Sequence, residues 1–367
     1  MELSLKSNLN SYKRILVTGG SGFIGGYMVK TLLKETNCYI ANFDKLGYAS
    51  DNKIIDDFIE TQPNEEKILF LSRYKFFEGN LNKKLVLEDV FNTFKPNLVF
   101  HFAAESHVDR SIDNPDNFID SNIIGTYNLL EVIRKCNSEK NLSIKLIHIS
   151  TDEVFGSAKY PTKFQENSPY NPRSPYSASK ASSDHLVSAW FHTYGVKSII
   201  TNCGNNYGPW QFPEKLIPLS ILKALNNEDI PIYGDGKNIR DWIFVQDHIN
   251  ALLYVATNGE IGNRYCIGAS NEITNINLII KICKILDKLI TNKTSHENLI
   301  KFVKDRSGHD KRYSIDSLLI SKLGWKPLTS LDEGLDITIN WYLSNLDWCN
   351  NIKQKSNFTG ERLGISN

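Results

Sequence analysis

The sequence lacks any run of about 18 apolar residues, the length a helix needs to cross a bilayer. Its opening, MELSLKSNLNSYKR, has neither a long apolar stretch nor a small-residue cleavage site. Both absences argue against a secreted or membrane-spanning protein. The six cysteines (Cys38, Cys136, Cys203, Cys266, Cys283, Cys349) contain no Cys-x-x-Cys pair. That scatter argues against zinc, any other metal centre or a disulfide framework, and reads as reduced thiols in a cytoplasmic protein. No charge of one sign dominates: 42 Lys+Arg against 41 Asp+Glu leave +1, so nothing draws the chain as a whole to nucleic acid or an anionic membrane. Internal repeats and heptads are missing too, and three Asn-x-Ser/Thr matches, at Asn141, Asn292 and Asn357, read as chance in an Asn-rich chain.

What is present is an ordinary globular composition, 41% hydrophobic and 23% charged, which excludes disorder of the whole chain. A length of 367 residues suggests two domains. The first half alternates short β-branched and aromatic runs with amphipathic stretches, the pattern of a parallel sheet covered by helices. Strands are expected at 14–18, 38–43, 74–77, 97–102, 145–149 and 197–201, with helices such as 24–35, 117–136 and 176–194. This spacing predicts an α/β, doubly wound parallel sheet. After Asn205, prolines at 209, 213, 218 and 231 punctuate a smaller lobe with helices at 216–226, 246–257 and 275–289. Residues 264–267 read as one more strand returning to the main sheet, so the two units interleave. The first dozen residues and the tail from Asn350 are polar enough to be loosely held.

Ile15-Leu-Val-Thr-Gly-Gly-Ser-Gly-Phe-Ile-Gly25 reads as a strand, a glycine-rich turn and a helix start. Without side chains in the turn, the backbone can approach a pyrophosphate, whose charge is favoured by the free N–H groups at the helix N-terminus. Gly20, Gly22 and Gly25 match the dinucleotide fingerprint, and Gly19, Gly22 and Gly25 its short-chain dehydrogenase spacing. Asp44, nineteen residues beyond Gly25, closes the second expected strand. A carboxylate there accepts from ribose hydroxyls and repels a 2'-phosphate, which favours NAD over NADP. The bland alternative is a tight turn with Asp44 as a helix cap.

Tyr176-Ser-Ala-Ser-Lys180 puts a phenol and an ammonium on one helix face. With a free pKa of about 10, Tyr176 serves as a base near neutrality only if cations, here Lys180 and a nicotinamide ring, favour its phenolate. Alone the pair reads as a surface contact; behind a nucleotide fingerprint it reads as a general base. The strand end Ser150-Thr-Asp-Glu153 faces the same crevice, because ligands of parallel sheets bind at the carboxyl ends of the strands. Thr151 can bond a substrate oxygen. Asp152 and Glu153 offer an acid and a base beyond what oxidation needs, their bland reading being a solvated pair or a helix cap.

Thr18-Gly-Gly-Ser-Gly-Phe-Ile-Gly25, His101-Phe-Ala-Ala-Glu-Ser-His-Val-Asp-Arg-Ser111, Ser150-Thr-Asp-Glu-Val-Phe-Gly156 and Tyr176-Ser-Ala-Ser-Lys180 together resemble the dTDP-glucose 4,6-dehydratases. These are extended short-chain dehydrogenase/reductases of Rossmann type. Asn205-Asn-Tyr-Gly-Pro209, Pro213-Glu-Lys-Leu-Ile-Pro218, Tyr233-Gly-Asp-Gly236, Ile239-Arg-Asp-Trp242 and Gly308-His-Asp-x-Arg-Tyr313 extend the likeness from about Lys13 to Leu343. The resemblance implies a smaller, interleaved substrate lobe. An NAD-binding unit would span 13–204 and about 236–268, a sugar-nucleotide unit about 205–235 and 269–345, with polar termini at 1–12 and 350–367.

The resemblance also implies the chemistry. Tyr176, poised by Lys180, takes the proton of the sugar 4-hydroxyl while hydride leaves C4 for NAD, and Thr151 steadies that oxygen. Glu153 removes the acidified C5 proton as Asp152 protonates the departing C6 hydroxyl, and hydride returns to C6. Near the cofactor it places Gly19, Gly22, Phe23, Ile24, Gly25, Asp44, Lys45, Asn80, Leu81, Ala103, Ala104, Ser121 and Asn206, besides Tyr176 and Lys180. Around the substrate it places Ser106, Asn205, Glu214, Lys215, Leu216, Pro231, Tyr233, Arg240, Asn275, Arg306 and His309. Cationic Arg240 and Arg306 suit a diphosphate on physical grounds as well. Asn80 stands where the family usually has an acidic residue near adenine, and Ser307 replaces a typical proline. Long helices 117–136 and 176–194 would pair across a homodimer. The rival readings are a UDP-glucose 4,6-dehydratase, an epimerase or decarboxylase on the same scaffold, and a non-catalytic dinucleotide sensor.

Overall fold

A computed structural model describes residues 3–140, 142–290, 294–356, 358 and 360. Asn141, Asn292 and Asn357 lie outside the described residues, as do 1–2, 359 and the tail 361–367. Twelve strands are described: β1 (Arg14–Thr18), β2 (Tyr39–Asp44), β3 (Tyr74–Glu78), β4 (Leu98–His101), β5 (Lys145–Thr151), β6 (Ser198–Cys203), β7 (Asn205–Tyr207), β8 (Ile230–Tyr233), β9 (Ile239–Phe244), β10 (Arg264–Ile267), β11 (Glu272–Thr274) and β12 (Ile300–Val303).

Seven of them form one sheet in the order β10-β6-β5-β4-β1-β2-β3, every neighbouring pair parallel. β4, β5 and β6 are buried along almost their whole length, as strands covered on both faces must be. One face carries helices Phe23–Glu35 and Val245–Asn258, whose Met28, Leu32, Ile249 and Leu252 pack with Ile15, Val17 and Ile40. The other carries Lys84–Phe94, Gly125–Glu139 and Pro175–Tyr194, packing Phe91, Leu129, Ile133 and Val187 on Leu16, Val99 and Leu146. The chain reverses direction across the sheet between β1 and β4, and at such a point the loops leaving the two strands diverge and open a crevice.

The second lobe has its own apolar centre. Helices Leu216–Leu225, Asn275–Leu289, Leu331–Ser344 and Leu346–Lys355 bury Ile217, Ile221, Leu278, Ile282, Ile339 and Trp348 together. A parallel pair β8–β12 and a three-stranded set β11-β9-β7 complete it. Segment 236–268 is therefore divided: β10 joins the main sheet, whereas β9 pairs with β7 and β11.

Three local expectations need correction. The stretch 117–136 is not one α-helix: Asp116–Phe118 and Gly125–Glu139 flank a π-helical turn, Ile119–Ile124. Apolar periodicity does not encode that wider turn. It is held by the Asn122 side chain, which accepts from Glu105 N–H (2.8 Å) and donates to Ser179 Oγ (2.8 Å). Among the described residues of the first dozen, helix Leu3–Asn10 is docked and not loosely held, because it buries Leu5 and Leu9 in the core of the sheet domain. Nor are the described residues from Asn350 to Lys355 loose, since helix Leu346–Lys355 runs through them and Ile352, like Phe358 beyond it, is buried. Net polarity hid two apolar side chains per segment, and two suffice to dock a short helix.

Leu9 has no exposed surface. Leu9→Ala is expected to lower stability by about 2–4 kcal/mol, as truncation of a buried leucine does, read as a lower urea midpoint for unfolding of the sheet domain. A surface-like loss under 0.5 kcal/mol, the scale of exposed substitutions, would show that this helix does not dock.

Candidate active site

The crevice begins with the turn after β1. Gly19 has φ +72°, and a Cβ there would lie 2.6 Å from the Ala103 nitrogen; one on Gly25 would overlap the Gly19 carbonyl. Only glycine lets the two loops meet this closely. Helix Phe23–Glu35 starts directly behind, so its free N–H groups and positive dipole end face the cleft. Asp44 closes β2 and accepts from Ser21 N–H (3.0 Å) and Leu46 N–H (2.8 Å). Burial pushes its carboxyl above the usual carboxylate range, and those hydrogen bonds oppose the rise. Lys45 reaches across to Glu105 (2.6 Å) and Ser121 (3.1 Å). A cradle closed to any Cβ, a helix start and a carboxylate on the next strand fit a dinucleotide.

The reactive groups come from β5 and helix Pro175–Tyr194. Ser174 caps that helix in a reciprocal capping box with Ser177, and Pro175 occupies its first turn, which fixes where Tyr176 and Lys180 emerge. Lys180 Nζ donates to the Ile149 carbonyl at 2.8 Å. Tyr176 is buried; burial first, then the Glu153 charge, push its phenol well above its ordinary value, while a hydrogen bond with Thr151 opposes them. The lowering expected from Lys180 must therefore overcome a large opposing desolvation. Thr151 also caps the short 3-10 helix Asp152–Phe155, accepting from Glu153 N–H at 3.2 Å.

Asp152 and Glu153 differ in their surroundings. Burial, followed by repulsion from Glu153, pushes Asp152 well above the carboxylate range. Its Oδ2 is buried without a hydrogen-bond partner among the described residues. Glu153 is also raised by burial, but Arg306, Arg240 and Lys215 pull it back. Tyr313 OH lies 3.4 Å from its Oε2.

The second lobe supplies the cationic wall. Arg240 donates to the carbonyls of Ile239 (2.8 Å) and Asp310 (3.0 Å) with its guanidinium 4.0 Å from the Tyr313 ring centre. Arg306 pairs with Asp109 at 2.9 Å, and Tyr233 donates to the same carboxylate at 2.9 Å. Lys215 Nζ donates to the Ser106 carbonyl at 2.8 Å, while Glu214 is engaged by Arg110 (2.7 Å) and Tyr48 (2.8 Å). Burial and the Arg306 charge take His309 down to about 4 despite its bond to Asp305, so it is neutral at pH 7. Asn205 Oδ1, Asn275 Oδ1 and Arg306 Nε are buried without partners among the described residues, an arrangement proteins keep where a ligand completes the bonding.

One cavity of about 440 Å³ is lined by the glycine turn, Asp44, Thr151, Asp152, Glu153, Tyr176 and Lys180 together with the cationic wall of Lys215, Arg240 and Arg306. The residues that the resemblance places at the cofactor, the substrate and the chemistry reach it, from Gly19, Gly22, Phe23, Ile24 and Gly25 through Asn80, Leu81, Ala103, Ala104 and Asn206 to Leu216, Pro231, Asn275 and His309, whereas Gly20 of the fingerprint does not line it. Ser307 does not displace its neighbours, since Arg306 and His309 both face the cavity. Asp109 and Tyr313 were missed, although both stand inside the matched motifs. The signal available was their company: a carboxylate and a phenol among arginines. Phe102 and Trp242, also inside the matched motifs, and Cys203, outside them, line the cavity as well.

The model of the GDP-mannose 4,6 dehydratase family matches residues 16–338. A dTDP-glucose 4,6-dehydratase of Neisseria meningitidis is 47% identical over 362 residues, covering 96% of this chain and 99% of the relative. One of Salmonella typhimurium is 46% identical over 354 residues, covering 93% and 95%. The crystal structure of dTDP-glucose 4,6-dehydratase from Bacillus anthracis in complex with NAD superposes with TM-score 0.78 at 37% identity, covering 92% of this chain and 99% of that one.

The raised carboxyl of Asp152 carries a stability consequence. The folded state holds a proton that the unfolded chain releases above about pH 4, so folding stability falls as pH rises from there through the raised value. Asp152→Asn removes this loss. The variant should be the more stable in thermal melts at neutral pH, and the gap should narrow as pH falls and close towards about pH 4. A gap independent of pH would contradict the burial argument.

Proposed function

The chain belongs to the dTDP-glucose 4,6-dehydratases, extended short-chain dehydrogenase/reductases within the GDP-mannose 4,6-dehydratase family, and from that membership we propose how its residues convert dTDP-glucose to dTDP-4-keto-6-deoxyglucose. NAD, held by Gly19, Gly22, Gly25 and Asp44, supplies when bound a reversible hydride acceptor, so that oxidation at C4 and reduction at C6 leave no net redox change. Lys215, Arg240 and Arg306 take the diphosphate, and the partnerless amides of Asn205 and Asn275 complete the nucleotide's hydrogen bonds. Tyr176 Oη takes the proton of the 4-hydroxyl, with Thr151 Oγ1 steadying the same oxygen and Lys180 favouring the phenolate.

The observation that carries the elimination is the different surroundings of two adjacent carboxyls, Asp152 buried and Glu153 half-buried. Glu153, facing three cations, is the anion that removes the C5 proton once C4 is a ketone. Asp152, raised further and with its Oδ2 unpartnered, stays protonated and delivers that proton to the leaving C6 hydroxyl. A 4-epimerase needs no acid for a leaving hydroxyl, so this pair weighs against epimerisation.

We also infer a homodimer in the cytoplasm. Ile119, Ile124, Tyr127 and Tyr194 are exposed on the two long segments expected to pair, and all six thiols are free and buried. Among the described residues, no helix is long and apolar enough to cross a membrane.

Incubation with dTDP-glucose should yield a product lighter by one water, with deuterium from C4 recovered in the C6 methyl group; UDP-glucose should react more slowly. Glu153→Gln should lower dehydration by about 100-fold or more, the scale of a lost general base, while reduced nicotinamide still appears on mixing. Dehydration at the wild-type rate would remove Glu153 from its role. Light scattering should give twice the chain mass.

A further inference from the structure

A buried polar cluster lies beneath the catalytic strand end, and the reaction described above does not use it. Its centre is Asp184, one turn beyond Lys180 on helix Pro175–Tyr194 and wholly buried. Asp184 Oδ2 accepts from Tyr170 OH (2.6 Å), Ser150 Oγ (2.9 Å) and Asn202 Nδ2 (3.2 Å), and Oδ1 lies 3.1 Å from His148 Nε2. Asn202 Nδ2 also donates to the Thr151 carbonyl at 3.0 Å. The cluster thus grips Ser150 and Thr151, the residues immediately before Asp152, while Lys180 grips Ile149.

Charge completes the geometry. Burial alone would raise Asp184, but the His148 ring nitrogen 3.1 Å away, the nearby Lys180 and the hydrogen bond from Tyr170 hold it below the usual range, so it is an anion. Burial acts on Lys180 in the damaging sense, towards the neutral amine, and Asp184 is the first group that opposes it. The other neighbours do not substitute for it. His148 and His101, whose rings lie 5.3 Å apart, are both driven neutral by burial. Tyr170 stands between Asp184 and Arg264, its ring packed on His185 and 4.5 Å from the Arg264 guanidinium, and Cys203 on β6 is held as a thiol by burial.

We propose that Asp184 is a positioning residue for C4 oxidation: it keeps Lys180 an ammonium, and through Lys180 lets Tyr176 act as a base near neutrality, while bracing the Ser150–Thr151 backbone. The proposal rests on Tyr176 being the base. A merely structural Asp184 would be served as well by an amide, which has the same shape and can direct its Nδ2 to the imidazole of His148.

Asp184→Asn is therefore tested on the holoenzyme by the pH dependence of the single-turnover formation of reduced nicotinamide from dTDP-glucose. Without the buried anion Lys180 loses its proton near neutrality, and the rise of rate with pH should move up by about one pH unit or more, with little change in KM. A profile superimposable on wild type, or displaced to lower pH because loss of an anion acts directly on Tyr176, overturns the proposal. Should the variant not fold, the wild-type holoenzyme gives a second reading: the Lys180 Cε resonance of 13C-lysine-labelled protein, assigned by its loss in Lys180→Arg, should keep its ammonium shift through neutrality. Titration to the amine below neutrality would overturn the proposal equally. The two readings fail separately: no water lost by the wild-type enzyme removes the function, whereas normal turnover with an unmoved Asp184→Asn profile removes only the role of Asp184.

Discussion

Holding ionised groups out of water at the carboxyl edge of a parallel sheet is the constraint on which the molecule depends. Lys180, Arg240, Asp109, Asp152 and Asp184 are all buried. None would be tolerated alone, because an unpaired ion in a low-dielectric interior neutralises itself by shifting its pKa. The fold supplies each with a counter-charge or hydrogen-bond partners: Asp184 for Lys180, Arg306 and Tyr233 for Asp109, and backbone carbonyls that accept from Arg240. Asp152 is the exception. Left without a partner for one oxygen, its carboxyl is raised by burial, as the acid proposed for departure of the sugar hydroxyl would need.

The same requirement ties the lobes together. Asp109 follows β4 of the large sheet, yet its partners Arg306 and Tyr233 belong to the second lobe. Lys215 reaches from the second lobe to the Ser106 carbonyl, and Glu214 to Arg110. A diphosphate bound by these cations would meet side chains already oriented by contacts across the crevice, which lowers the ordering cost of binding. The π-helical turn at Ile119–Ile124 serves the cofactor side in the same way: it turns Asn122 inward to join the Glu105 backbone to Ser179, beside the Lys45–Glu105 pair.

Much of this was legible in the chain because it is local. Alternation of strand and helix patterns placed β1 to β6 to within a few residues, since covered parallel strands must be continuously apolar. The glycines of 19–25 announced a close approach of backbone and ligand, and Tyr176 and Lys180 announced themselves by helical spacing. Other features were hidden for stated reasons. Leu5 and Leu9 are too few to lift the polarity of their segment, the wide turn at Asn122 depends on partners far away in sequence, and β9 pairs with β7 and β11 although its neighbour β10 joins the main sheet.

Residue type, spacing and the order of the motifs determined the nucleotide-binding architecture, the helical pairing of Tyr176 with Lys180, and the presence of two carboxyls after Thr151. These are properties of neighbours on one strand, turn or helix, whose geometry follows from backbone periodicity. How the two carboxyls differ in surroundings, which ions are paired, and that a buried Asp184 lies one turn from Lys180 were decided only by the tertiary structure. The pKa of a buried group is set by its desolvation and by charges that come from other strands and from the second lobe, and sequence separation does not record those distances.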